Sequence, residues 1–264
     1  MTFLEGLVLG VVQGLTEFLP VSSSGHLTVL PALVNLPTPP LLFDIAVHAA
    51  TLAAVLFYFR ADLLALVRGL AGKGAEPGRE RRLAGLLVLA TIPAVVVAVL
   101  WESPLEELFS QPRLASAALV VCGLWLLSAS FLKEGEVEAE GLAWPKALLV
   151  GIAQAVALVP GISRSGATIA TGLLLGLKRH EAPRLSFLMM VIAVAGAMLK
   201  GLLDLVQEGP GTLAAAPVVA GFAAAALSGY LAIGLVMKFV EKGRLAIFAT
   251  YCIAAGFVFS LILS

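Results

Sequence analysis

Four stretches of this chain, Leu83–Trp101, Leu114–Leu132, Leu213–Met237 and Leu245–Ser264, contain no Lys, Arg, Asp or Glu. A helix needs ~20 apolar residues to cross the hydrocarbon of a bilayer, and each run is long enough. Leu185–Leu203 is interrupted only by Lys200 near one end, and Leu41–Phe59 fits if Asp44 and His48 are tolerated. Six membrane-spanning helices are therefore expected. Composition agrees, since 13% of the 264 residues are charged and 60% hydrophobic, whereas soluble domains run near ~25% charged. This excludes a disordered chain, an ordinary soluble enzyme and a nucleic-acid binder with a basic face. With 17 basic and 17 acidic residues, the net charge of zero identifies no partner. Cys122 and Cys252 fall in apolar runs and read as buried, inert thiols. Glu5 near the start, with no basic region, gives no signal-peptide pattern.

Two further apolar stretches are broken. Thr2–Asn35 contains Gly14, Pro20 and Gly25, and Pro145–Leu177 contains Pro160, Gly161 and Gly166. Proline kinks a helix and glycine weakens it. Basic residues mark the cytoplasmic side of a membrane protein. Fourteen of the 17 lie in segments 60–82, 133–146, 178–184 and 238–244, so all four are placed in the cytoplasm. Segments 102–113 and 204–212 hold only Arg113 and are placed outside. Parity then requires the apolar chain between 133–146 and 178–184 to enter the membrane and return. The same counting makes Thr2–Asn35 enter and return from outside. Irregular backbone at membrane depth survives only where protein or a wet cavity surrounds it.

The two broken stretches align without a gap at an offset of 141. Leu7, Gly10 and Gln13 match Leu148, Gly151 and Gln154, and Ser22, Ser24 and Gly25 match Ser163, Ser165 and Gly166. After a three-residue slip, Phe43 meets Phe187 and Val47 meets Val191. With the copies entering from opposite sides, these are inverted repeats, an arrangement that places a site near the midplane at the repeat interface. The expected fold is an all-α integral membrane protein. It has six transmembrane helices plus two re-entrant helical hairpins arranged as inverted repeats, in a single domain over 1–264 with repeats at about 1–132 and 143–264. The copies differ in charge. Glu17, His26, Asp44 and His48 face Leu158, Ala167, Leu188 and Ile192, while Arg164 matches Ser23. That asymmetry points to a chemical site more than to a symmetric gate.

Ionisable groups inside a membrane are costly and mark function by default. Here they are Glu17, His26, Asp44, His48 and Arg164; Glu5 and Lys200 are close enough to an interface to snorkel. Gln13 and Glu17, spaced i, i+4, share a helix face. Pro20 ends that helix, and Ser22, Ser23 and Ser24 supply caps for the next. Ser23 and His26 then share a face as a hydroxyl beside an imidazole, a nucleophile and its base. The plainer alternative is that the serines cap and the histidine packs. In Pro160-Gly161-Ile162-Ser163-Arg164-Ser165-Gly166-Ala167-Thr168, Gly161 allows close backbone approach. Ser163, Ser165, Thr168 and the amides of the following helix offer donors to an anion, and Arg164 grips phosphate bidentately. The plainer alternative is an arginine neutralised by Glu17 or Asp44. Neither a Walker loop nor a nucleophile elbow is present, because the spacing of each is absent. Asp44, His48 and Thr51 form a polar stripe on an apolar helix. It reads either as lining the same cavity, behind the reacting groups or as a metal ligand, or as a pair satisfied by mutual contact.

Gln-x-x-x-Glu followed by Phe-Leu-Pro-Val-Ser-Ser-Ser-Gly-His, and later Pro-Gly-x-Ser-Arg-Ser-Gly-Ala-Thr, resemble the two signature motifs of the undecaprenyl-diphosphatase family, also called bacitracin-resistance proteins. The resemblance implies a multi-pass enzyme of the bacterial plasma (inner) membrane with its site facing outward. It would hydrolyse undecaprenyl diphosphate and so recycle the lipid carrier for cell-wall synthesis. It implies a divalent cation, Mg2+ or Ca2+, held partly by Glu17, a polyprenyl diphosphate substrate and a homodimer. Carried over residue by residue, Glu17, Ser23, His26 and Arg164 are the catalytic set; the reading of the residues above adds Gln13, Ser22, Ser24, Gly161, Ser163, Ser165 and Thr168 as substrate-binding, with Asp44 and His48 supporting them. Gln13 stands where many members have glutamate, and His48 where many have an uncharged polar residue. Either Ser23 or His26 attacks the terminal phosphorus. The rival class is a transporter of an anion or lipid phosphate, which would use Arg164 but need Ser23 and His26 much less.

Overall fold

The computed structural model describes residues 1–34, 39–208 and 214–263. Asn35, Leu213 and Ser264, which bound three of the expected stretches, lie outside the described residues. Among the described residues the order is α1 Phe3–Phe18, α2 Ser23–Val34, α3 Leu41–Tyr58, α4 Arg60–Leu70, α5 Pro77–Leu100, α6 Glu102–Phe109, α7 Pro112–Ser130, α8 Trp144–Val156, α9 Arg164–Leu174, α10 Glu181–Glu208, α11 Ala215–Glu241 and α12 Ala246–Ile262. The fold is all-α, with one isolated parallel bridge, Val137 to Leu177, among the described residues.

Both broken stretches are helix–break–helix units. Thr2 and Glu5 form a capping box that starts α1. Proline pushes the residue before it out of the helical region, and Leu19, at φ −60° and ψ 136°, duly ends α1 before Pro20. The second helix of each unit is capped in the same way. The Ser22 hydroxyl accepts from the Gly25 N–H at 3.1 Å, and the Ser163 hydroxyl from the Gly166 N–H at 3.1 Å. The ends of the second unit meet, since Lys146 Nζ donates to the Leu175 carbonyl at 2.9 Å.

Among the described residues all six apolar runs form helix, and five helices (α3, α5, α7, α10 and α11) are long and apolar enough to cross a membrane. The sixth run forms α12, a shorter apolar helix of 17 residues, at the lower end of the range that spans a bilayer. The segments between the apolar runs also carry helix: α4 lies in 60–82 and α6 in 102–113.

Lipid tails are as apolar as leucine, so helices associate in a membrane mainly through close packing of small residues. α1 lies along α11, with Gly6, Gly10 and Gly14 against the backbone at Pro217, Gly221 and Ala225; a Cβ at any of them would collide. α8 lies along α5, with Gly151 against the Ala90 backbone, and α7 pairs with α12. Larger apolar side chains divide between an interior cluster, where Phe18 meets Phe187 edge-on at 5.6 Å, and an exposed outer surface including Val99, Leu124, Leu199 and Leu231.

Three of the four basic segments are tied together at one end. Arg184 pairs with Asp62 at 2.7 Å and with Glu140 at 3.0 Å, Lys178 pairs with Glu138 at 2.9 Å, and Arg82 Nε donates to the Glu140 carbonyl at 2.6 Å. The fourth joins them, because a side chain on Gly243 would meet the Arg179 guanidinium. Lys178, then Arg79, hold the Glu138 carboxyl below the usual glutamate range. The segments assigned to the opposite face meet as well, with Lys200 bound to Glu102 at 2.7 Å and to Asp204 at 2.9 Å.

Candidate active site

The two breaks touch each other. A side chain on Gly25 would stand 3.0 Å from Gly161 Cα, and one on Gly161 would strike the Ala115 backbone of α7. At Gly161, with φ 96°, glycine thus serves the turn and its packing on α7. The freed backbone groups are satisfied by thiols: the Ser163 N–H donates to Cys122 Sγ at 3.3 Å, and Cys252 Sγ donates to the Pro20 carbonyl at 3.4 Å. Both cysteines are buried and unbridged.

Contact between the breaks brings residues 147 positions apart together. Glu17, at the end of α1 and 8% exposed, accepts Arg164 Nη2 on Oε1 at 2.5 Å. Its Oε2 accepts the Ser23 hydroxyl at 2.8 Å and Gln13 Nε2 at 3.1 Å. Burial of either charge alone would be costly, and pairing is what makes it tolerable. Two polar atoms of the cluster remain buried without a partner: Arg164 Nη1 and Gln13 Oε1. A buried guanidinium nitrogen with an unused donor is suited to an anionic oxygen.

Gln13, Ser23, Ser24, Thr28, Asp44 and His48 line a cavity of about 660 Å³ together with Leu27, Pro39, Leu41 and Phe109. Asp44 and His48 line this space and also meet each other at 3.4 Å. Thr51, the third member of the stripe, is buried and bonded to the His48 carbonyl. The Ser22 and Ser24 hydroxyls pair at 3.2 Å, and Ser163 and Ser165 pair at 3.1 Å. Thr168 is turned to α10, 2.6 Å from the Ser186 hydroxyl.

Ser23 and His26 are not joined as a dyad. The Ser23 hydroxyl goes to Glu17, while His26 Nδ1 lies 2.8 Å from the Ser22 carbonyl and Nε2 lies 2.7 Å from the Tyr251 hydroxyl. Tyr251 on α12 was not legible as a site residue, because an aromatic in an apolar helix reads as packing or an interface anchor. Nor does Glu17 stand open as a metal ligand. Both its oxygens are taken, and no three His, Cys, Asp or Glu side chains converge among the described residues. A resident cation does not fit this arrangement.

A family model described as bacitracin resistance protein BacA matches residues 6–258. The chain is 42% identical over 259 residues to a protein of Trichlorobacter lovleyi named undecaprenyl-diphosphatase, covering 97% of this chain and 95% of that one. It is 43% identical over 270 residues to one of the same name from Rubrobacter xylanophilus, covering 100% and 99%. A Moorella thermoacetica relative, also so named, is 40% identical over 251 residues, covering 95% and 94%. Two matching motifs, their contact in space and similarity along nearly the whole chain agree: this chain belongs to the BacA bacitracin-resistance family.

Proposed function

We propose that this protein hydrolyses undecaprenyl diphosphate to undecaprenyl phosphate and inorganic phosphate, recycling the lipid carrier for peptidoglycan synthesis and giving bacitracin resistance. The observation that carries the reading is the Ser23–Glu17–Arg164 cluster. It joins a hydroxyl on a carboxylate to a guanidinium with a free donor, beside a cavity lined by both polar and apolar side chains. Nothing in the comparisons supports the transporter alternative.

In the reaction, Arg164 and the first amides of α9 hold the terminal phosphate. Ser23 Oγ attacks its phosphorus as Glu17 takes the hydroxyl proton, and the P–O bond to undecaprenyl phosphate breaks. Water then cleaves the phosphoserine, releasing phosphate and restoring the hydroxyl. Ser23 is favoured over His26 as the attacking group, because Ser23 lines the cavity on a carboxylate base while both His26 nitrogens are engaged elsewhere. Leu27, Leu41 and Phe109 offer the prenyl chain an apolar wall on its way into the lipid.

A dependence on Mg2+ or Ca2+ is proposed as a property of the enzyme with its substrate, where a divalent cation would offset the charge of the diphosphate. The test is release of phosphate from undecaprenyl diphosphate by detergent-purified protein, with and without EDTA, beside metal analysis of the enzyme alone. Release that EDTA suppresses, from protein free of stoichiometric metal, is expected. Absence of release overturns the function, and a tightly bound ion without substrate overturns this account of the cation.

The finer architecture is part of the same reading. Six spans with two re-entrant hairpins, in one domain of inverted repeats at about 1–132 and 143–264, are supported by the duplicated serine caps. The matched pairings of α1 on α11 and α8 on α5 and the Lys146–Leu175 closure support them too. Phe109 lines the cavity from α6, on the face opposite the basic segments, which supports an inner-membrane protein with its site outward. A cysteine replacing Lys73 should then react with a membrane-impermeant maleimide only after the cell is opened; labelling in intact cells would reverse the orientation. The homodimer rests on the resemblance alone, and a detergent-corrected mass of one 27.3 kDa chain would exclude it.

A further inference from the structure

The two breaks solve the same turn differently. The second places its left-handed residue at Gly161, φ 96°, where no Cβ resists. The first has Pro20 at the matching position and puts the left-handed conformation on Ser22, φ 68°, which L side chains seldom adopt without help from their surroundings. Ser22 directly precedes Ser23, so the direction of the Ser23 hydroxyl depends on that turn.

The help comes from α12. The Ser22 carbonyl lies 2.8 Å from His26 Nδ1. A carbonyl only accepts, so Nδ1 carries the proton, and Nε2 of the neutral ring accepts from the Tyr251 hydroxyl at 2.7 Å. The tyrosine ring also stacks on the imidazole, with centroids 5.7 Å apart and planes 11° apart, and Phe259 meets the imidazole edge-on at 5.9 Å. One helix turn of α12 thus touches the break twice, since Cys252 Sγ holds the Pro20 carbonyl. The second break has Ala167 where the first has His26 and carries no such clamp.

We propose that Tyr251 is a positioning residue: its hydroxyl fixes the tautomer and plane of His26, which through the Ser22 carbonyl holds the left-handed turn that aims Ser23 at Glu17. This rests on Ser23 being the attacking group of the proposed hydrolysis. Tyr251 touches no reacting atom, and its effect passes through two hydrogen bonds.

The test is Tyr251→Phe, which keeps the stacked ring and removes the hydroxyl. Phosphate release should lose about tenfold in kcat, ~1.4 kcal/mol, with KM for undecaprenyl diphosphate within about twofold of wild type. In parallel, 15N spectra of histidine-labelled protein in detergent read the ring directly. The chain has three histidines, and His26→Ala identifies the signal. Wild type should show His26 protonated on Nδ1 with Nε2 as acceptor, and Tyr251→Phe should move the Nε2 resonance. A purely structural loss would lower Tm and leave that resonance unchanged. Wild-type kcat in Tyr251→Phe, or a wild-type His26 with Nδ1 unprotonated, overturns the proposal while wild-type hydrolysis stands. Absence of hydrolysis in the wild type overturns the functional reading itself.

Discussion

Arg164→Ala should lose phosphate release by about 10³- to 10⁵-fold, the range seen when an arginine that stabilises a transferring phosphoryl group is removed. The guanidinium has two jobs in this site. Nη2 neutralises Glu17, and Nη1 is the buried donor left without a protein partner. Alanine removes the donor and leaves the Glu17 carboxylate buried and uncompensated, which costs ~3–5 kcal/mol where it has been measured in other proteins. A fall in Tm should therefore accompany the loss. Arg164→Lys separates the two effects. A lysine restores a charge for Glu17 but is a single point donor that does not reproduce the planar fork, so Tm should recover further than turnover. Phosphate release at the wild-type rate by folded Arg164→Ala would remove Arg164, and with it the proposed chemistry, from consideration.

Ser23→Ala should lose on the order of 10³-fold or more in kcat, as loss of a nucleophile does elsewhere, with little change in Tm. Its hydroxyl bonds to Glu17, but the cap of α2 belongs to Ser22, so the fold does not depend on it. The same experiment addresses which group attacks. Quenching turnover of terminally labelled diphosphate in acid should trap label on Ser23 as acid-stable phosphoserine. An acid-labile adduct on His26, or full activity in Ser23→Ala, would reverse the assignment.

Much of the architecture was legible because a membrane imposes one simple rule on many residues at once. The apolar runs and the two proline–glycine breaks appear as helices and breaks where their composition places them. The basic segments gather at one end, tied through Arg184, Lys178 and Arg82. α12, at 17 residues, is the shortest of the six helices that these runs form. Local motifs were less informative about contacts. Spacing i, i+3 along α2 put Ser23 and His26 on one face, yet the hydroxyl turns to Glu17 and the imidazole to Tyr251. Thr168, grouped by motif with the anion-binding residues, bonds across to α10 through Ser186 in this structure, a contact that its spacing did not reveal.

Apolar run length, basic-residue placement and the duplicated Gln-to-Gly pattern are properties of the chain itself. They are set by transfer free energies and helix periodicity, which depend on neighbours in sequence. Which atoms meet at the site depends instead on two breaks touching at Gly25 and Gly161, and on α12 lying against α7. The pairing of Glu17 with Arg164, the engagement of both its oxygens and the reach of Tyr251 to His26 were decided there. Hydrogen bonds act over about 3 Å, and only packing brings residues 147 and 225 positions apart within that distance.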